Sequence, residues 1–128
     1  MPIDFMFVDD DDGIREYLEA LAGQYNLTCL SFSSGVEALR YLQEHVSDLP
    51  RGYVVDMRIP GSADELASSE RIYEFLKARD AQGKFTYFTG CLSTYDVEVQ
   101  RRTGANVLLK TQQLEELKQF LREVINLK

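Results

Sequence analysis

The sequence is poor in the residues that metal and redox chemistry most often recruit. It holds two cysteines and one histidine in 128 residues. Cys29 and Cys91 share no metal-ligand spacing with each other or with His45, so they read as buried free thiols of a reducing compartment. Long apolar runs are missing too: no stretch approaches a membrane span, and Met1-Pro2-Ile3-Asp4 is no secretion signal. Cations are scarce, with 14 Lys and Arg against 21 Asp and Glu, a net charge of −7. A chain this acidic repels phosphate backbones, which argues against direct nucleic-acid binding. Low-complexity segments are absent as well. What remains is the expectation of one cytoplasmic domain over residues 1–128, long enough to bury a core without disulfide or metal staples.

What the sequence does have is centred on Tyr53-Val54-Val55-Asp56-Met57-Arg58-Ile59-Pro60-Gly61. Three apolar residues run into one carboxylate, and a Pro-Gly pair follows. An apolar run bounded by turn residues reads as a buried strand that stops at a loop. Asp56 then stands at the carboxyl end of a central strand, the edge outside which open α/β sheets bind ligands.

Taken in order, Ile3 to Val8 is a first strand, ending in Asp9-Asp10-Asp11-Asp12. Ile14, Tyr17, Leu18, Leu21 and Ala22 follow at helical spacing, with Arg15, Glu16 and Glu19 on the other face and Gly23 as the stop. Asp11 and Asp12 suit helix capping and the helix dipole. Asp9 and Asp10 are surplus to that role, and adjacent carboxylates without a counter-charge are usually relieved by a divalent cation. Leu27 to Phe32 is a weaker strand. Ser34 to Glu37 has a capping-box pattern, and Val36, Leu39, Leu42 and Val46 give the helix stripe. His45 lies off that stripe and reads as a solvated helix residue. After the central strand, residues 62–70 are polar and aperiodic. Ile72, Tyr73, Phe75 and Leu76 mark a helix ending before Gly83, and Phe85 to Thr89 is a strand. Leu92, Tyr95 and Val99 give a short helix ending at Gly104, and Asn106 to Leu109 a last strand with Lys110 at its end. Leu114, Leu117, Leu121, Val124 and Ile125 complete an amphipathic helix.

Strand–helix repeated five times predicts a doubly wound, five-stranded parallel sheet with helices on both faces. Asp9, Asp10, Asp56, Thr89 and Lys110 then all fall at its carboxyl edge. Each has an ordinary explanation alone; their convergence does not.

In order along the chain, Val8-Asp9-Asp10-Asp11, Ile14-Arg15, Ser34-Gly35-Val36-Glu37-Ala38-Leu39, Asp56-Met57-Arg58-Ile59-Pro60-Gly61, Thr89-Gly90 and Gly104-Ala105 with Lys110 resemble the response-regulator receiver family of two-component signalling. The resemblance implies a flavodoxin-like (βα)5 fold with Asp56 as phosphoacceptor, charged by a sensor histidine kinase or a histidine phosphotransfer protein. It implies Mg²⁺ on Asp10, Asp56 and the backbone carbonyl of Arg58, with Asp9 acting through water. Lys110 would pair with a phosphoryl oxygen, and the Thr89 hydroxyl would hydrogen-bond another as the switch residue. Autodephosphorylation aside, such a domain is not an enzyme. With nothing after Lys128, its message would pass to a downstream protein partner, or to an output domain absent from this chain.

Three features depart from the family pattern. Val107 stands where an aromatic residue is usual. Thr111 follows Lys110 where a cis-proline is usual; a cis bond to a non-proline costs about 3–4 kcal/mol, so this loop is either trans and rearranged or cis under strain. The stretch between Pro60 and Ile72 lacks the family's Met-Asp-Gly-like turn and is a few residues too long for the pattern. Arg58 reads equally as a solvated rim charge or as a control on the water that hydrolyses the acyl phosphate. Two other functional classes stay open. Val107 and Thr111 favour a phosphorylation-independent interaction module of the same fold. A Mg²⁺-dependent phosphohydrolase using Asp56 as nucleophile is opposed by Arg58, which stands where haloacid-dehalogenase-type hydrolases carry a second acid.

Overall fold

In the computed structural model, residues 3–57, 68–81, 84–90 and 94–123 are described. Five strands, β1 (Phe5–Val8), β2 (Cys29–Phe32), β3 (Gly52–Val55), β4 (Lys84–Thr89) and β5 (Asn106–Leu109), alternate with five helices, α1 (Asp12–Gln24), α2 (Gly35–Glu44), α3 (Ser68–Ala78), α4 (Thr94–Thr103) and α5 (Leu114–Glu123). All strand pairs are parallel, in the order β2-β1-β3-β4-β5. From β1 the chain winds outward to β2 on one side and then returns to β3 on the other. The strand order therefore reverses between β1 and β3, where a doubly wound sheet opens its crevice.

The period-2 alternation of the strands divides the core in two. Met6, Val8, Tyr53, Val55, Phe85 and Tyr87 pack with Ala38 and Leu42 of α2 and Ile72 and Leu76 of α3. Phe5, Phe7, Val54, Phe88 and Leu108 pack with Leu18 and Leu21 of α1 and Leu117 and Leu121 of α5. Each fully buried side chain of this size contributes roughly 1.5–3 kcal/mol before the entropy of ordering is set against it. The helix stripes are narrower than the spacing predicts. Val36, Val46 and Leu114 are exposed, and Ala38 takes the place in the core that Val36 was expected to fill. Val124 and Ile125 lie outside the described residues.

Local chemistry explains the element boundaries. The Asp11 carboxylate accepts from Ile14 N at 3.2 Å and starts α1, and Ser34 Oγ accepts from Glu37 N at 3.4 Å and starts α2. The stop of α1 is not Gly23. The helix runs through it, and Asn26 takes the left-handed conformation (φ 56°) while Leu27 N bonds Ala22 O and Asn26 N bonds Gly23 O. Asp80 (φ 53°) ends α3 in the same way, with Ala81 N on Leu76 O and Asp80 N on Lys77 O. Asn and Asp tolerate this conformation best after glycine, so both stops are Schellman turns without glycine. Part of the polar stretch expected to be loop, from Ser68 onward, is the first turn of α3. His45 follows α2 as an exposed cap, its ring stacked on Tyr41 at 3.9 Å.

Gly52 opens β3 against the Phe5 ring. A Cβ there would lie 2.3 Å from a ring carbon. Phe5 is fully buried and held between Phe7 (centroids 5.9 Å) and Phe120 (5.8 Å), so the ring has no room to yield. Gly52→Ala is expected to destabilise the fold by about 1–3 kcal/mol through overpacking, read as a lower urea midpoint at unchanged slope.

Candidate functional site

Register places the site. Val8 of β1 is level with Val55 of β3, so Asp9 and Asp56 are neighbours at the carboxyl edge of adjacent strands. Asp56 N donates to Val8 O at 2.7 Å and Asp9 N to Phe32 O at 3.1 Å, which ties both residues to the ends of the ladder. Both are buried, and Asp10 is exposed. One carboxylate oxygen from each of Asp9, Asp10 and Asp56 lies within 4.8 Å of the others. Lys110, the first residue past β5, reaches across the edge to the same place. Its Nζ is 2.7 Å from Asp9 Oδ2 and 3.5 Å from Asp56 Oδ2. Thr89 is buried at the end of β4, and its carbonyl accepts from Lys110 N at 2.8 Å.

Asp9 is 1% exposed, and its two oxygens are held differently. Oδ1 accepts from Asp11 N at 2.9 Å. Oδ2 has the Lys110 ammonium beside it but no hydrogen bond of good alignment, so its partner is a charge at short range. A buried oxygen of this kind, with two further carboxylates in reach, is an all-oxygen, anionic donor set that suits a hard divalent cation such as Mg²⁺. Arg58, the remaining expected ligand, lies outside the described residues.

Burial works to lower the Lys110 pKa. Contact with the Asp9 and Asp56 carboxylates outweighs it, and the net direction is upward. Burial likewise pushes the Tyr53 phenol, whose OH donates to Pro50 O at 2.8 Å, well above its usual value. For both groups the folded chain holds its proton more tightly than the unfolded chain does. Their contributions are complete at neutral pH and fade only as pH rises above about 10, where the unfolded side chains lose their protons. We therefore expect alkaline unfolding rather than a quiet titration. Tyrosinate absorbance from Tyr53 should rise together with the loss of circular dichroism and not before it.

The turn after Lys110 settles one alternative: the Lys110–Thr111 peptide is trans. Gln113 organises this turn. Its N donates to Leu109 O at 3.0 Å, and its Oε1 accepts from Leu109 N at 2.8 Å, satisfying a donor on the edge strand. Val107 is half-buried against the core and level with the fully buried Tyr87.

Three side chains at the site make polar contacts that escape sequence reading. Arg15 is not on an idle polar face: its Nη1 donates to Asp9 O at 2.6 Å and its Nη2 pairs with the Asp12 carboxylate. Ser69 Oγ donates to Met57 O at 2.9 Å, holding the residue after Asp56 onto α3. Tyr87 OH donates to Ser69 O at 3.4 Å. Only Arg15 carries a sequence signal, its spacing of three from Asp12.

By sequence, the chain matches no protein-family model and no curated protein. By structure it is similar to response-regulator receivers over nearly its whole length. A CheY-like response-regulator receiver domain protein from Methanospirillum hungatei is 18% identical with a TM-score of 0.73, and the match covers 100% of both chains. A receiver domain protein from Clostridium thermocellum is 21% identical with a TM-score of 0.72, covering 97% of this chain and 94% of that one. The chemotaxis protein CheY4 of Vibrio cholerae is 17% identical with a TM-score of 0.73, covering 97% and 99%. The fold is that of a response-regulator receiver domain. Among the described residues, no helix is long and apolar enough to cross a membrane.

Proposed function

We propose that the chain is a phosphoacceptor receiver, a single cytoplasmic signalling domain in which Asp56 takes a phosphoryl group from a histidine kinase or a histidine phosphotransfer protein. The observation that carries this reading is the meeting of Asp9, Asp10 and Asp56 within 4.8 Å, with the Lys110 ammonium on two of them. An Asp56 oxygen attacks phosphorus, the P–O bond forms as the P–N bond of the phosphohistidine breaks, and the imidazole leaves with the electron pair. Asp10, Asp56 and the Arg58 carbonyl would hold Mg²⁺, with Asp9 acting through water. When bound, the ion neutralises the nucleophile and the incoming phosphoryl oxygens together.

The protein's own residues supply the rest. Lys110 is a point charge already in place for one phosphoryl oxygen, so little reorganisation is needed as charge shifts. The Thr89 hydroxyl hydrogen-bonds another, and its movement biases the surface that a downstream protein or output domain reads. The chain is a signalling partner and not an enzyme of turnover, and it does not contact nucleic acid.

The test is intact mass after incubation with Mg²⁺ and acetyl phosphate, for wild type and Asp56→Asn, with and without EDTA. A metal-dependent phosphate adduct that disappears in the variant is the expected result. A folded, Mg²⁺-binding protein that takes no phosphate would instead identify a phosphorylation-independent module. Turnover of a phosphomonoester would identify a hydrolase.

A further inference from the structure

We propose that Arg15 is a positioning residue for divalent-cation binding: it clamps the acidic turn between β1 and α1 so that Asp9 and Asp10 stay within reach of Asp56. The inference rests on the metal site of the proposed function and goes beyond it, because Arg15 touches none of the three clustered carboxylates in its observed contacts.

The placement of Arg15 is unusual for a cation. It sits in the first turn of α1, where the helix dipole disfavours positive charge. Its side chain is only 18% exposed, although a solvated arginine there would be free to extend. The guanidinium instead folds back over the turn. Nη1 donates to Asp9 O at 2.6 Å, and Nη2 pairs with the carboxylate of Asp12, so a single planar fork spans Asp9 to Asp12.

Inside that span the turn closes on itself, with Asp11 N on Asp9 Oδ1 at 2.9 Å and Asp11 Oδ1 on Ile14 N at 3.2 Å. Four consecutive carboxylates would otherwise repel one another and open this turn. Opening it would carry Asp10, which is exposed and, among the described residues, is oriented by the turn alone, away from Asp56. A lysine cannot replace the fork, because one ammonium on a flexible stem does not hold two acceptors this far apart along the chain.

Charge and clamping predict opposite signs. If Arg15 acts only through its charge, it repels Mg²⁺, and removing it tightens binding. If it acts as a clamp, removing it weakens binding despite the lost repulsion, by about 10-fold or more, the range found for groups that orient metal ligands from behind.

The experiment is calorimetric titration of MgCl₂ into wild type, Arg15→Ala, Arg15→Lys and Arg15→Met at fixed ionic strength. Melting in EDTA shows that each variant is folded before titration. Arg15→Met keeps the apolar stem, so a folded protein without the fork is available even if the alanine variant does not fold. The clamp predicts weaker binding in every folded variant, with no rescue by lysine. Wild-type or tighter affinity in Arg15→Met or Arg15→Ala overturns it while leaving the metal site standing. Absence of Mg²⁺ binding in wild type overturns both.

Discussion

Replacing Lys110 by alanine is expected to impair the site more than any other single change outside the acceptor itself. Asp9 is 1% exposed, and the Lys110 ammonium, 2.7 Å from its Oδ2, is the ion-pair partner of its carboxylate among the described residues. Removing one partner of a buried ion pair leaves the other as an uncompensated charge, at about 3–5 kcal/mol. The loss here should fall near the lower bound, because Lys110 is 17% exposed and the site borders solvent. Urea unfolding in EDTA checks this value. Adding Mg²⁺ should recover part of the lost stability, since the cation then has three carboxylates to itself. Phosphotransfer should not recover in the same way. Loss of a preorganised positive group facing transferred charge typically lowers rates about 10²–10³-fold, to be read from adduct formation against time. A Lys110→Ala protein as stable and as reactive as wild type would remove Lys110 from the mechanism.

The second large effect is that of the metal itself. Three clustered carboxylates are a liability in the absence of a cation, and the folded state alone assembles them. Mg²⁺ at 100 times its dissociation constant should therefore stabilise the fold by about 2.7 kcal/mol. For a domain of this length that is roughly 10 °C in melting temperature. EDTA should abolish both the shift and the phosphate adduct. Asp10→Asn separates the two effects. Because Asp10 is exposed, the variant should be at least as stable as wild type without metal, yet gain much less from Mg²⁺. A melting temperature indifferent to millimolar Mg²⁺ would contradict the metal site.

The fold was legible because its signals are local. Apolar runs ending in polar residues marked all five strands, and β5 coincides with the expected Asn106–Leu109. The parallel order then brought Asp9, Asp56, Thr89 and Lys110 to one edge with no further assumption. The rest was hidden for physical reasons. Asn26 and Asp80 end helices in the left-handed conformation, but glycine is the residue that advertises it, so Gly23 marks the end of α1 in the sequence although the helix runs through it, while α3 ends before Gly83 as expected. Val36 has helical spacing and is exposed because which face is covered depends on the neighbouring element. Ser69 lay in a polar stretch without period, where nothing marks one hydroxyl as bound for the carbonyl of Met57. The same periodicity that identifies its helix places Arg15 on the polar face. A long side chain at a helix start can turn back over the preceding turn, and periodicity does not register that.

In the proposed reaction, phosphate goes to the carboxylate of Asp56. Borohydride reduction of the protein after acetyl phosphate treatment converts an aspartyl phosphate to homoserine, which peptide mapping then locates. Homoserine at position 56 alone, dependent on Mg²⁺, is the predicted result. Label at Asp9 or Asp10, or a phosphoramidate on His45 with position 56 unmodified, would contradict it.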